Sequence, residues 1–274
     1  MAMIEMARIQ PFEDVTQLLD RPEALRVKAE EEGLLFFKGL LDADKVSALR
    51  SQILNICNAH GWIQEGTPPE NAIAELDAKV LDIHLDHKWK AIYNDVQKLR
   101  DFHALALDPE ILNVCQTLFG ESVLPHSRNI CRVVFPDSAT HSTPPHQDNF
   151  YWSRKPANAL TAYIAITKQT EKNGAICYLL GSHKQGVLQH KRSSVKAFSS
   201  YIDNPQITNK SFHSPKLQSG DVVFHHCNIV HKANSNQYSS VKHDRKSLAI
   251  VIYGVSALED KKLRKKYLRN NQKI

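Results

Sequence analysis

The period of the hydrophobic pattern changes at Gly120, and this change limits the architectures open to the chain. Before it, apolar side chains recur at helical spacing. Residues 22–32 are helix formers with Pro22 in front and Gly33 as a stop, and the short run Leu34-Leu-Phe-Phe37 reads as a strand. Asp42 is placed to cap a helix over 43–60 whose inward face is Val46, Leu49, Ile53, Leu54 and Cys57. Residues 89–99 and 109–119 read as two more helices, the second with Pro109 in its first turn and Gly120 just past its end. After Gly120 the runs are short and rich in β-branched and aromatic residues: 129–135, 159–166, 176–180, 221–226 and 247–253, separated by Pro, Gly, Ser and Asn clusters. Such spacing predicts an all-β barrel or sandwich behind a helical N-terminal part, rather than alternating βαβ units. Residues 62–85 fit either a short helix or a lid, and 189–214, polar and weakly patterned, read as a long insertion over the barrel mouth.

A chain of 274 residues can bury one substantial core. No internal repeat, dinucleotide-binding glycine pattern or Walker loop is present. The expected organisation is a single domain over 1–274, with 1–120 as helical support, 121–256 as the β core and 257–274 as a basic tail. The net charge is +6, yet residues 261–274 alone hold seven Lys or Arg and no acidic residue, so the excess belongs to a terminal segment. That segment reads as a solvated terminal helix, with a homo-oligomer, nucleic-acid or membrane contact as its alternative uses. A nucleic-acid partner would rest on charge alone, without a zinc finger or RNP-like strand pair, and is not expected. Five cysteines, odd in number and with no C-x-x-C pair, point to a reducing compartment. No run approaches 18 apolar residues, and residues 1–11 lack an apolar signal segment. The expectation is a soluble cytoplasmic protein with no membrane partner.

Within the β half, Thr143-Pro-Pro-His-Gln-Asp-Asn-Phe-Tyr-Trp152 places His146 and Asp148 two residues apart. On an extended segment such residues face the same side, where an imidazole and a carboxylate can share a metal ion. A second histidine would complete a 2-His-1-carboxylate set, which suits Fe(II) and leaves coordination positions open. His225, His226 and His231 all compete for that place, and spacing does not rank them.

In order, His146-x-Asp148, Gly174 with Gly181-Ser-His183, Gly220-Asp221, His231 and Arg245 resemble the motifs of the phytanoyl-CoA dioxygenase family of Fe(II)/2-oxoglutarate-dependent oxygenases. The likeness extends to the segment from Gly33 to Leu49 and spans most of 33–253. It implies a mainly β fold with N-terminal helices: a double-stranded β-helix, that is, a cupin-like jelly roll, with the site at its open end. It further implies that Fe(II) is held by His146, Asp148 and His231, the catalytic set, and that Arg245 binds the far carboxylate of 2-oxoglutarate, for which a planar guanidinium fork is suited. O2 is consumed, and succinate and CO2 leave. In halogenating relatives a small residue replaces the carboxylate, so Asp148 favours hydroxylation of an unactivated C–H, although desaturation or ring rearrangement uses the same ligands. Tyr163 stands where many members have tryptophan, and Lys232 where glycine often follows the distal histidine.

Around that set, Tyr163 and Asn129 are candidates for lining the cosubstrate pocket. Gln147, Asn149, Phe150 and Trp152 are candidates for the substrate side, and residues 62–85 and 189–214 for covers that exclude water. The expected substrate is a small or medium organic metabolite, a natural-product intermediate ahead of an acyl-CoA or a free acid. Two other readings compete: an oxygenase that uses the triad without 2-oxoglutarate, and a non-catalytic cupin-like metal-binding module.

Overall fold

The N-terminal helices form where local signals place them. Helix α1 (Pro22–Glu32) starts on Pro22 and stops at Gly33, whose φ of 79° is the left-handed value that favours glycine. In α2 (Ala43–Ala59) the Asp42 carboxylate accepts the backbone N–H groups of Asp44 and Lys45, at 2.8 and 3.0 Å. Helices α3 (His87–Val96), α4 (Arg100–Ala104) and α5 (Pro109–Phe119) follow; α5 is capped by Asp108 and closed by Gly120. The computed structural model describes residues 12–75, 87–127, 129–134, 143–152, 154–155, 159–170, 172–192, 200–234, 245–254, 258–259 and 261–271. Part of the 62–85 segment therefore lies outside the described residues; its start pairs Ile63 with Ala74 and buries Trp62.

The strands are β1 (Leu34–Phe37), β2 (Val123–Pro125), β3 (Ile130–Val134), β4 (Thr143–His146), β5 (Arg154–Lys155), β6 (Ala159–Ala165), β7 (Ile176–Leu179), β8 (Lys191–Arg192), β9 (Ser200–Tyr201), β10 (Val222–His226), β11 (Val230–Ala233), β12 (Arg245–Gly254) and β13 (Leu258–Glu259). Three further helices are α6 (Asn149–Trp152), α7 (Pro205–Thr208) and α8 (Lys261–Asn271). A six-stranded antiparallel sheet runs β1-β10-β6-β12-β2, with β3 also on β12, and a three-stranded sheet runs β4-β11-β7.

Alternation along the large sheet separates two cores. Leu35, Phe37, Leu160, Ala162, Ile164, Val222 and Phe224 pack with Leu25, Leu49, Ile53, Phe102 and Ile111 from the helices. Leu34, Phe36, Tyr163, Ala165 and Val223 face the other way and meet Ile176 and Tyr178 of the small sheet. Beyond the small sheet, Leu179 and Val230 pack with Ile202, Ile207 and Phe212. Each fully buried Leu or Ile contributes roughly 1.5–3 kcal/mol, so the first of these cores anchors the sheet that positions the site.

This architecture corrects the expected mainly β, double-stranded β-helix jelly roll. More of the described residues lie in helices than in strands, and the six-stranded and three-stranded sheets stack without either closing into a barrel. The β-branched runs did specify strands, but period-2 patterning does not say which edges hydrogen-bond, and here the large sheet keeps β1 and β2 at its ends. The insertion 189–214 holds the β8–β9 pair and α7, and Ile202 N–H donates to Pro145 O at 2.7 Å, which ties it to the strand carrying His146. Residues 193–199 of it lie outside the described residues. The basic tail forms α8, which packs against α6 and β8. Among the described residues no helix is long and apolar enough to cross a membrane.

Candidate metal centre

Strand pairing assembles the site. In the small sheet His146 of β4 is the register partner of His231 of β11, which sets the two imidazoles side by side, with ring centroids 4.2 Å apart. Asp148 does not arrive by strand alternation. The chain leaves β4 at Gln147 and turns into α6, where Tyr151 N–H donates back to Asp148 O at 2.9 Å. This turn brings Asp148 Oδ1 to 3.6 Å from His146 Nε2 and 3.7 Å from His231 Nε2. The three ligand atoms lie within 4.8 Å of one another.

The remaining polar atoms of the three residues are engaged elsewhere. His146 Nδ1–H donates to Pro144 O at 2.9 Å and His231 Nδ1–H to Ile229 O at 3.2 Å, so each neutral ring leaves its Nε2 lone pair toward the common centre. Asp148 Oδ2 accepts the Thr161 hydroxyl at 2.6 Å and His225 Nε2–H at 3.2 Å. One carboxylate oxygen and two imidazole nitrogens therefore converge on a common point. That donor set fits a divalent transition metal and suits Fe(II).

The electrostatics agree. Burial alone would raise the Asp148 pKa, but His231, His146 and His225 beside it hold it well below the usual carboxylate range. Burial, with His146 adjacent, pushes His231 well below its ordinary value, so the ring stays neutral and able to bind metal. Burial also raises the Tyr178 hydroxyl, which remains a donor, and it lies 3.2 Å from His225 Nδ1.

The other candidates distribute differently. His226 leaves the opposite face of β10, donates its backbone N–H to Gly33 O and sits 5.2 Å from the His183 ring. Asn129 shares a face with Cys131, which belongs to the helix-side core, and its amide meets His103 Nδ1 of α4 at 3.3 Å; it is not brought to the site. Gln147 is fully buried, with its amide donating to Gly186 O and Asn228 O and accepting from Leu188 N–H, so no group is left for a substrate. Asn149 donates to Asn228 Oδ1, and Phe150 stacks on His190 at 4.1 Å, both buried. Trp152 is half-buried against His126. Tyr163 faces the inter-sheet core on the site's side of β6, with its hydroxyl donating to Gln169. Arg245 opens β12 opposite Val134; its side chain lies outside the described residues. Lys232 turns away from the site and its ammonium lies over the Phe212 ring. Thr161 and Tyr178 escaped the sequence reading. A lone threonine in the apolar run Ala-Leu-Thr-Ala-Tyr-Ile-Ala was the available signal for the first, because a buried hydroxyl needs a partner.

Comparison with known proteins agrees with the geometry. The sequence profile of the phytanoyl-CoA dioxygenase (PhyH) family matches residues 29–243. The chain is 28% identical over 237 residues to 1-deoxypentalenic acid 11-beta-hydroxylase of Streptomyces arenae, covering 82% of this chain and 78% of that protein. It is 25% identical over 231 residues to the peroxisomal phytanoyl-CoA dioxygenase of Mus musculus, covering 76% of this chain and 62% of that one. Its fold is shared with the non-heme alpha ketoglutarate dependent carbocyclase SnoK from nogalamycin biosynthesis, at a TM-score of 0.61, 22% identity and 93% of each chain. It is shared too with EctD from S. alaskensis, at a TM-score of 0.60, 17% identity, and 91% of this chain and 84% of that one. The chain belongs to the phytanoyl-CoA dioxygenase family and is an Fe(II)/2-oxoglutarate-dependent oxygenase, coupling O2 to C–H hydroxylation with release of succinate and CO2.

Proposed function

We propose that His146, Asp148 and His231 hold the Fe(II), that Arg245 binds the far carboxylate of 2-oxoglutarate, and that the substrate is a small or medium organic acid of natural-product type. One observation carries the metal assignment: each of the three residues has its second polar atom occupied by protein, leaving one donor atom apiece aimed at one point. When bound, Fe(II) supplies the redox chemistry that activates O2 at the expense of the oxo acid. The chain's own residues do the rest. Asp148 supplies one negative charge, which lowers the charge of the site, and the two neutral histidines add none. The position of Arg245 supports its role. Two residues along β12 from it, Ser247 pairs with Ala165, and then Ala249 with Tyr163 and Val251 with Thr161, so position 245 is in phase with the residues that face the site.

An acid substrate is supported by the placement of α8. Lys261, Lys262, Arg264, Lys265 and Arg269 are exposed on a helix that packs on α6, the segment directly after Asp148. The acid named in the Streptomyces arenae relative is of this class. Residues 1–274 are read as one oxygenase domain, a reading supported by the continuous core between the N-terminal helices and the large sheet. The test is succinate formation and O2 uptake by the anaerobically iron-loaded protein over a panel of terpenoid acids and acyl-CoA thioesters. Both signals should require 2-oxoglutarate. They should be lost in Asp148→Ala, and the KM for 2-oxoglutarate should rise at least tenfold in Arg245→Lys, whose single ammonium cannot reproduce a two-pronged contact. Turnover of any substrate without the oxo acid would sink the reading.

A further inference from the structure

We infer that His225, held by Tyr178, is a positioning residue that keeps Oδ1 of Asp148 aimed between His146 and His231, and so sets the affinity and ligand field of the metal site. The inference rests on the reading that these three residues hold the metal. Asp148 lies past the end of β4, where no ladder fixes its side chain, and the terminal torsion of a carboxylate is broad. One hydroxyl, from Thr161, can follow the carboxylate as it swings, because a hydroxyl hydrogen rotates to suit its partner. A second donor at the same oxygen removes that freedom. Thr161 and His225 are register partners on β6 and β10, so two adjacent strands present two donors to Oδ2, at 2.6 and 3.2 Å.

The tautomer of His225 follows from its two neighbours. An ionised carboxylate only accepts, so Nε2 carries hydrogen, and the Nδ1 of the neutral ring then accepts the Tyr178 hydroxyl at 3.2 Å. With both nitrogens engaged, no lone pair is left for a metal, which separates His225 from the ligands although its ring centroid is 4.8 Å from that of His231. Tyr178 belongs to the small sheet and is the register partner of His231 itself. The strand that flanks one ligand thus orients, through His225, the carboxylate of another, and this contact crosses between the two sheets. All three side chains are buried or nearly so, which fixes their geometry against solvent exchange.

The test is an anaerobic titration of the full, metal-free chain with Co(II), reading the dissociation constant and the visible d–d bands. His225→Phe should weaken binding 10- to 100-fold and shift the bands, the usual range for losing a partner of a metal ligand. His225→Gln, which can turn an amide N–H toward Oδ2, should recover most of the affinity, and Tyr178→Phe, which deletes one hydroxyl, should weaken binding severalfold. Equal losses in His225→Phe and His225→Gln would reduce the role to packing and overturn the inference. Should His225→Phe fail to fold, a change of less than twofold in Tyr178→Phe overturns it as well. Asp148→Ala separates the two levels: if that variant binds Co(II) as the parent does, the metal centre itself is misread. If Asp148→Ala abolishes binding while His225→Phe keeps the parent affinity and bands, only the positioning role falls.

Discussion

Mild acid should loosen the metal-free fold through His226, a histidine outside the His146, Asp148 and His231 cluster. Its Nδ1 accepts the backbone N–H of Asn228 at 2.9 Å, inside the turn that leads to His231, so the ring is held in its neutral form. Burial, with His183 and His225 adding to it, pushes the ring from 6.5 down to about 4. Above pH 6.5 neither the folded nor the unfolded ring is protonated, and the full stability is present. Below it the unfolded chain takes up a proton that the folded ring refuses, so stability falls as pH falls from 6.5 toward about 4. At about 1.4 kcal/mol per pH unit for one proton, the loss between roughly pH 6.5 and 5 is about 2 kcal/mol. Urea denaturation followed by far-UV circular dichroism, with a chelator present, measures it. His226→Asn is the reference, because its side-chain oxygen can still accept from Asn228 yet takes no proton, and every other titratable group is common to the two chains. The wild type should lose about 2 kcal/mol more than the variant over that interval. Equal losses, to within about 0.5 kcal/mol, would refute the reasoning.

Three other substitutions probe the site and its support. Thr161→Val removes the 2.6 Å donor to Asp148 with little change of shape; a charge-assisted hydrogen bond of about 1.5–3 kcal/mol is at stake, and Co(II) affinity should fall tenfold or more in an anaerobic titration. Gln147→Leu leaves one buried and one part-buried carbonyl and one N–H without their partner, which should cost roughly 2–5 kcal/mol in urea denaturation while the product profile per active molecule stays the same. Gly33→Ala forces a side chain into the left-handed region, at about 1–2 kcal/mol, and its Cβ would overlap the His183 ring. The melting temperature should drop by several degrees, and an unchanged value would refute both the left-handed cost and the clash with His183.

Much of the scaffold was legible locally. The Pro, Asp and Gly signals around α1, α2 and α5 act within one turn of the residues they stop or start, and five of the β runs formed at close to the expected bounds. The two strands that carry His146 and His231 were not legible as strands. In β4, Thr-Pro-Pro-His looks like a turn, and Val-His-Lys-Ala in β11 is too short and polar to show a period. Nor could spacing choose among His225, His226 and His231, because their separation depends on a turn, Cys227 to Ile229, that reverses the chain from the large sheet to the small one.

What the sequence determines by itself is the chemistry on offer: two histidines, one aspartate and an arginine in a family order, behind helices whose stops and starts are written in single residues. What only the tertiary structure decides is which groups face one another. Gln147 spends its whole amide on structure because loops enclose it, and Asn129 turns its amide nitrogen to His103 because it points to the helix face. Thr161, His225 and Tyr178 become the supports of Asp148 because β6 and β10 pair in the large sheet and β7 of the small sheet faces them, setting Tyr178 against His225. The physical reason is range. Capping and periodicity act over a few residues, whereas the aim of a carboxylate is set by hydrogen bonds from strands whose pairing only the folded chain creates.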